Sequence, residues 1–142
     1  MTTPAVPKTQ LAIDFITALG WNGTQESGYP LYPGPEILDE PDQLVTITPV
    51  TGPGYVTEEA GLDSWGFQVR VRGAQDDPLG PELAAQQLDW MILGASYPSQ
   101  VDGVNIQVAY RSGPPPVPLP LDPSDRRFEY SCTYLVVSKT GA

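Results

Sequence analysis

The chain has 142 residues, a size that fits one domain built on one ordinary core. Its 17 acidic and 7 basic residues give a formal net charge of −10, which argues against nucleic-acid capture by a basic surface. It has no histidine and one cysteine, Cys132, which excludes His-based triads, histidine metal sites, a zinc site and an internal disulfide.

Proline (17) and glycine (14) make roughly a fifth of the residues, against about an eighth in average usage, so loops should be many and stiff. With 40% apolar residues and recurring strand-like runs, the composition is not that of a disordered chain. No run of about 18 apolar residues occurs, and the opening MTTPAVPKT lacks a signal-peptide pattern. The expectation is a soluble protein made in a cytoplasm, as a single domain over residues 1–142.

Residues 1–8 read as an arm broken by Pro4 and Pro7, either frayed or docked on a neighbour. Thr9 caps a predicted helix to Leu19, with Leu11, Phe15, Ile16 and Leu19 on one side and Gln10, Asp14 and Thr17 on the other; Gly20 stops it. Trp21 to Pro41 is turn-rich, and Leu31-Tyr32 is a candidate short strand. Asp39, Glu40 and Asp42 lack the spacing and the glycine of a known calcium loop and read as a solvated turn. Leu44 to Val50 is a strand whose Pro49 suits an edge. After a turn at 51–54, residues 55–64 read as an exposed connection, making the flanking strands antiparallel neighbours.

The stretch from Trp65 to Leu93 organises the chain. Phe67, Val69 and Val71 alternate with Gln68, Arg70 and Arg72, the period of a half-buried strand, and Gly73 ends it. Asp76 and Asp77 stand where an N-cap is wanted, ahead of Pro78; Gly80 followed by Pro81 is a rival start. The helix runs to about Leu93 and stops at Gly94. Pro81, Ala84, Ala85, Leu88, Met91 and Ile92 share one face. Leu79, Leu83, Trp90 and Leu93 form a second apolar patch, and Glu82, Gln86 and Asp89 a polar side. One apolar face covers a sheet; the other needs a second helix or a second chain.

Ala95 to Gly103 reads as a loop. Val104 to Tyr110 is a strand with Val104, Ile106, Val108 and Tyr110 on one face. Residues 112–125 form a Pro-rich loop in which Pro115 to Pro118 satisfies P-x-x-P. That segment is either a polyproline ligand or a stiff connection over a sheet edge or onto a neighbour. Arg126 and Arg127 mark the turn into the last strand, Phe128 to Ser138, with Phe128, Tyr130, Cys132, Tyr134 and Val136 on one face. The expected fold class is α+β: one mostly antiparallel sheet of four or five strands with two helices packed on one face.

No catalytic signature emerges. GPGYVTEEAG has glycines at the wrong spacing for a phosphate loop and no lysine. Asp76 and Asp77 could do acid–base work, but a helix start gives them a capping role. The expectation is a protein that is not an enzyme and carries no cofactor and no metal. What remains is surface. Arginine suits bidentate pairing with carboxylates across an interface, and this acidic chain offers many; solvated arginines on an open sheet are the competing reading. Candidate subunit or partner contacts are Arg70, Arg72, Leu83, Trp90, Arg111, Arg126 and Arg127.

Three pieces in order, GFQVRVRGAQDDP followed by a helix, GVNIQVAYRSGPPPVPLPLD, and RRFEYSCTYLVV, resemble the tail terminator proteins of long-tailed bacteriophages, often called minor tail or minor capsid proteins. The opening helix TQLAIDFITALGW also suits that family, while Tyr29 to Ser64 carries little of the likeness. The resemblance implies an α+β subunit of a hexameric ring in the virion neck, at the head-proximal end of the tail tube. Such a ring ends tube growth and joins the head, with copies of itself, the tail tube protein and head–tail connector proteins as partners. Six copies would carry about 60 negative formal charges, so DNA would pass without being held, and no membrane is involved. The alternatives are another neck connector or stopper or a tail tube subunit, a small acidic binding or inhibitor domain using the 113–121 segment, or an enzyme relying on Asp, Glu, Tyr or Lys alone.

Overall fold

The computed structural model describes residues 6–21, 28–50 and 61–140, with the side chain of residue 140 left aside. Residues 1–5 of the predicted 1–8 arm, the 51–54 turn and residues 55–60 of the connection lie outside those residues; within the described part, the first helix begins at Lys8 with Pro7 at its N-cap, which corrects the expected end of the arm and the Thr9 cap. The elements are α1 (Lys8–Ala18), β1 (Leu31–Pro33), β2 (Leu44–Val50), β3 (Leu62–Gln75), α2 (Leu79–Leu93), β4 (Ser99–Val101), β5 (Val104–Arg111), β6 (Val117–Pro118) and β7 (Arg127–Thr140).

The expected sheet of four or five strands is corrected by seven described strands in one mixed sheet, ordered β1-β2-β3-β7-β5-β4, with β6 also on β7. β1 runs parallel to β2; the other pairs are antiparallel. The sheet curls into a half-barrel. Helix α1 packs against β1 and β2 at one end of the strand order and against β4 at the other, so it fills the curl. Phe15 of α1 lies 6.2 Å from the Tyr97 ring before β4. Lys8 at its start pairs with Asp63 and sits over the Trp65 ring.

Alternation decides what the sheet buries. Trp65, Phe67, Val69 and Val71 of β3, with Cys132, Tyr134 and Val136 of β7, face inward and meet Leu11, Phe15 and Ile16 of α1 and Ala84, Ala85, Leu88 and Ile92 of α2 in one core. Six corrections follow from the strands. β3 begins at Leu62, inside the expected connection, and continues through Gly73 to Gln75. Gly73 is required there because a Cβ would come within 2.6 Å of Pro81, so α2 rests directly on the strand. The predicted 95–103 loop contains β4, and the Pro-rich loop contains β6. In β5 a register shift between Ile106 and Val108 turns Ala109 inward and leaves Val108 and Tyr110 exposed, splitting the face expected to hold all four apolar residues. β2 is not an edge strand. Its Pro49 instead lies beyond Ile47, the last residue of β2 paired with β1.

α2 starts as its sequence dictates. Asp77 Oδ1 accepts the Gly80 N–H at 3.0 Å, which holds the first turn and favours the Asp77 cap over the rival start. The outer edges β1 and β4 are each three residues long, and prolines break up the pairing of residues 112–119 beside β7. Short and Pro-bearing edges resist indiscriminate strand addition.

Candidate interaction surface

α2 is seated by a buried polar network beneath its outward face. Asp89, assigned by periodicity to a polar side, is only 4% exposed, which corrects that expectation. The Tyr134 hydroxyl of β7 donates to Asp89 Oδ1 at 2.8 Å, and Arg111 at the end of β5 forms an ion pair with the same oxygen, its Nε 3.2 Å away. A carboxylate pulled from water by helix packing thus finds both a hydroxyl and a cation. Burial pushes the Tyr134 hydroxyl well above its ordinary range, with Cys132 and Asp89 adding to the shift. Along the same helix, the Tyr130 hydroxyl donates to Glu82 at 3.1 Å, and burial with that carboxylate raises its pKa. At the C-terminal end the Tyr97 hydroxyl donates to the Ile92 carbonyl at 2.6 Å, and burial pushes it up to about 12.

On the opposite side of α2 the described residues leave the helix uncovered. Leu79 is 72% exposed, Leu83 52%, Trp90 66% and Leu93 39%. Scattered exposed leucines are ordinary; four large apolar side chains aligned on one helix are not. Trp21 and Trp65 are buried, so Trp90 is the tryptophan on the surface. Leu83 and Trp90, both candidates from sequence, share this ridge. Leu79 and Leu93 complete it.

The candidate arginines go elsewhere, and most are engaged within the chain. Arg72, expected on a sheet face open to water or a subunit, is 4% exposed, which is a correction. It donates to the backbone carbonyls of Asp39, Pro41 and Asp42 at 3.2, 2.8 and 3.0 Å, so the 39–42 turn folds over that end of the outer sheet face. Burial and the nearby Arg127 lower its pKa. Arg127 pairs with Asp125 at 2.7 Å and Asp42 at 3.2 Å, and also donates to the Asp39 carbonyl. The Asp39 and Asp42 turn is thus an internal clasp. Arg70 grips Glu129 with two bonds of 2.8 and 3.2 Å, and Arg126 pairs with Asp76 across the turn ahead of α2. An acidic chain supplies its arginines with partners of its own. Arg70, Arg72, Arg126 and Arg127 gather at one end of the sheet, and Arg111 lies apart beneath α2.

Sequence periodicity found the ridge but missed its support. The position of Asp89 beside Trp90, between the two helix faces, is the one signal available for a carboxylate turned inward. Cys132 is buried and its thiol pKa is raised mainly by that burial, as for a structural cysteine. Among the described residues no group of three or more His, Cys, Asp or Glu is placed to hold a metal ion, and no helix is long and apolar enough to cross a membrane. No family model matches the chain, and no curated protein matches it.

Proposed function

We propose that this chain is a structural subunit of a long-tailed phage virion, one that forms a ring at the head-proximal end of the tail tube, ends tube growth and joins tail to head. The observation that carries the reading is the apolar ridge Leu79, Leu83, Trp90 and Leu93 on a helix held rigidly from beneath. A presented face of this kind on a stiff sheet is the equipment of an assembly protein, because the ordering cost of binding is met in advance. The sequence resemblance supplies the setting, and the acidic balance of −10 suits a subunit past which DNA slides.

The Pro-rich ligand reading is weaker. Val117–Pro118 pairs with β7, and the Ser112 and Leu119 amides donate to Thr133 and Glu129 carbonyls at 2.9 Å. A segment tied down in this way does not offer a free polyproline helix. The test is genetic. Infection without this protein should yield tubes of uncontrolled length and heads without tails, restored by the wild type but not by Leu83→Glu/Trp90→Glu. Tails of normal length joined to heads in its absence would overturn the proposal.

A further inference from the structure

Leu79, Leu83, Gln86, Trp90 and Leu93 follow one another at spacings of four, three, four and three residues. That 3.5-residue period keeps a stripe facing a second helix along its whole length. The stripe also reads nearly the same in both directions. Leu79 and Leu93 lie seven residues either side of Gln86, with Leu83 three before it and Trp90 four after. An antiparallel copy of α2 related by a two-fold axis at Gln86–Gln87 therefore sets Leu79 against Leu93 and Leu83 against Trp90 twice over. The glutamine amides meet at the axis, where each can donate to the other.

Charge permits this contact. The neighbouring positions on one flank are Gly80, Gln87 and Gly94, none of them ionisable. On the other flank Glu82 accepts from Tyr130, and Asp89 is buried against Tyr134 and Arg111. Two copies of a chain carrying −10 can meet along α2 without opposing free carboxylates. Area agrees as well. The four ridge side chains expose on the order of 400 Å² of apolar surface. A specific interface takes about 800 Å² from each partner, somewhat over half of it apolar, so the ridge supplies nearly the whole apolar share of one side. A second copy supplies the same on the other.

We propose that the free protein pairs with a second copy of itself through antiparallel α2 helices, with the two-fold axis at Gln86–Gln87. The pairing does not depend on the virion reading, and its failure would leave the location of the protein untouched. The test uses cysteine variants of the full chain under mild oxidation, with the buried Cys132 left in place. Gln86→Cys should give a disulfide-linked dimer. Leu79→Cys alone should not, whereas an equal mixture of Leu79→Cys and Leu93→Cys should. Sedimentation should give a dimer for the wild type at tens of micromolar and a monomer for Trp90→Glu, with quenching of Trp90 by acrylamide falling several-fold as the wild type is concentrated. A wild type that stays monomeric, a Gln86→Cys protein that does not cross-link, or Leu79→Cys cross-linking to itself as in a parallel pair would each overturn the inference.

Discussion

Replacing Asp89 with alanine tests whether the network beneath α2 seats the helix. The Tyr134 hydroxyl, 1% exposed at the residue level, would lose its acceptor at a cost of about 1–3 kcal/mol. The Arg111 side chain is 32% exposed and can turn to water, adding at most about 1 kcal/mol. The sum, about 1–4 kcal/mol, lowers the midpoint of thermal unfolding by roughly 3–15 °C for a domain of this size. Tyr134→Phe leaves Asp89 its arginine and should cost about 1 kcal/mol. Because both changes remove the same bond, the double variant should be less destabilised than the sum by about 1 kcal/mol or more. Urea unfolding of the four proteins at neutral pH reads all of these values. An Asp89→Ala protein within about 0.5 kcal/mol of wild type, or a strictly additive cycle, would refute the reasoning.

Arg72→Met should destabilise by about 3 kcal/mol, since three backbone carbonyls of the 39–42 turn lose a charged donor; proteolysis should then cut that turn first, and an unchanged cleavage pattern would count against the clasp. Tyr29 and Tyr97 are both pushed up to about 12, chiefly by burial, from an ordinary value of 10.0. The unfolded chain ionises these tyrosines first, so their contribution is intact below pH 10 and drains away as pH rises towards 12. Alkaline unfolding monitored by tyrosinate absorbance should be cooperative in that window, and shallower in Tyr97→Phe. The Cys132 thiol should react with an aromatic disulfide reagent only as fast as the protein opens, with urea accelerating it many-fold; instant reaction of the native protein would contradict its burial.

The sequence revealed most where one period ran undisturbed. β7 alternates from Cys132 to Ser138 as its pattern requires, and the two apolar faces of α2 became a core face and an exposed ridge. Local pattern failed where long-range contact decides. β1 is three residues paired in parallel with β2, and β4 and β6 are as short or shorter, too brief for any period to register. One register shift in β5 reversed Val108 and Tyr110. The arginines illustrate the same limit for the site. Alternation placed Arg70 and Arg72 on the outer sheet face, but partners 59 residues away (Glu129) and about 30 residues away (Asp39, Pro41 and Asp42) settled what they bind.

Gold-labelled antibody against this protein, imaged on intact virions with control epitopes in view, is the most direct test of its place in assembly. The account predicts a single focus of label at the junction of head and tail. Label along the whole tail, or none on particles whose control epitopes are reached, would contradict it.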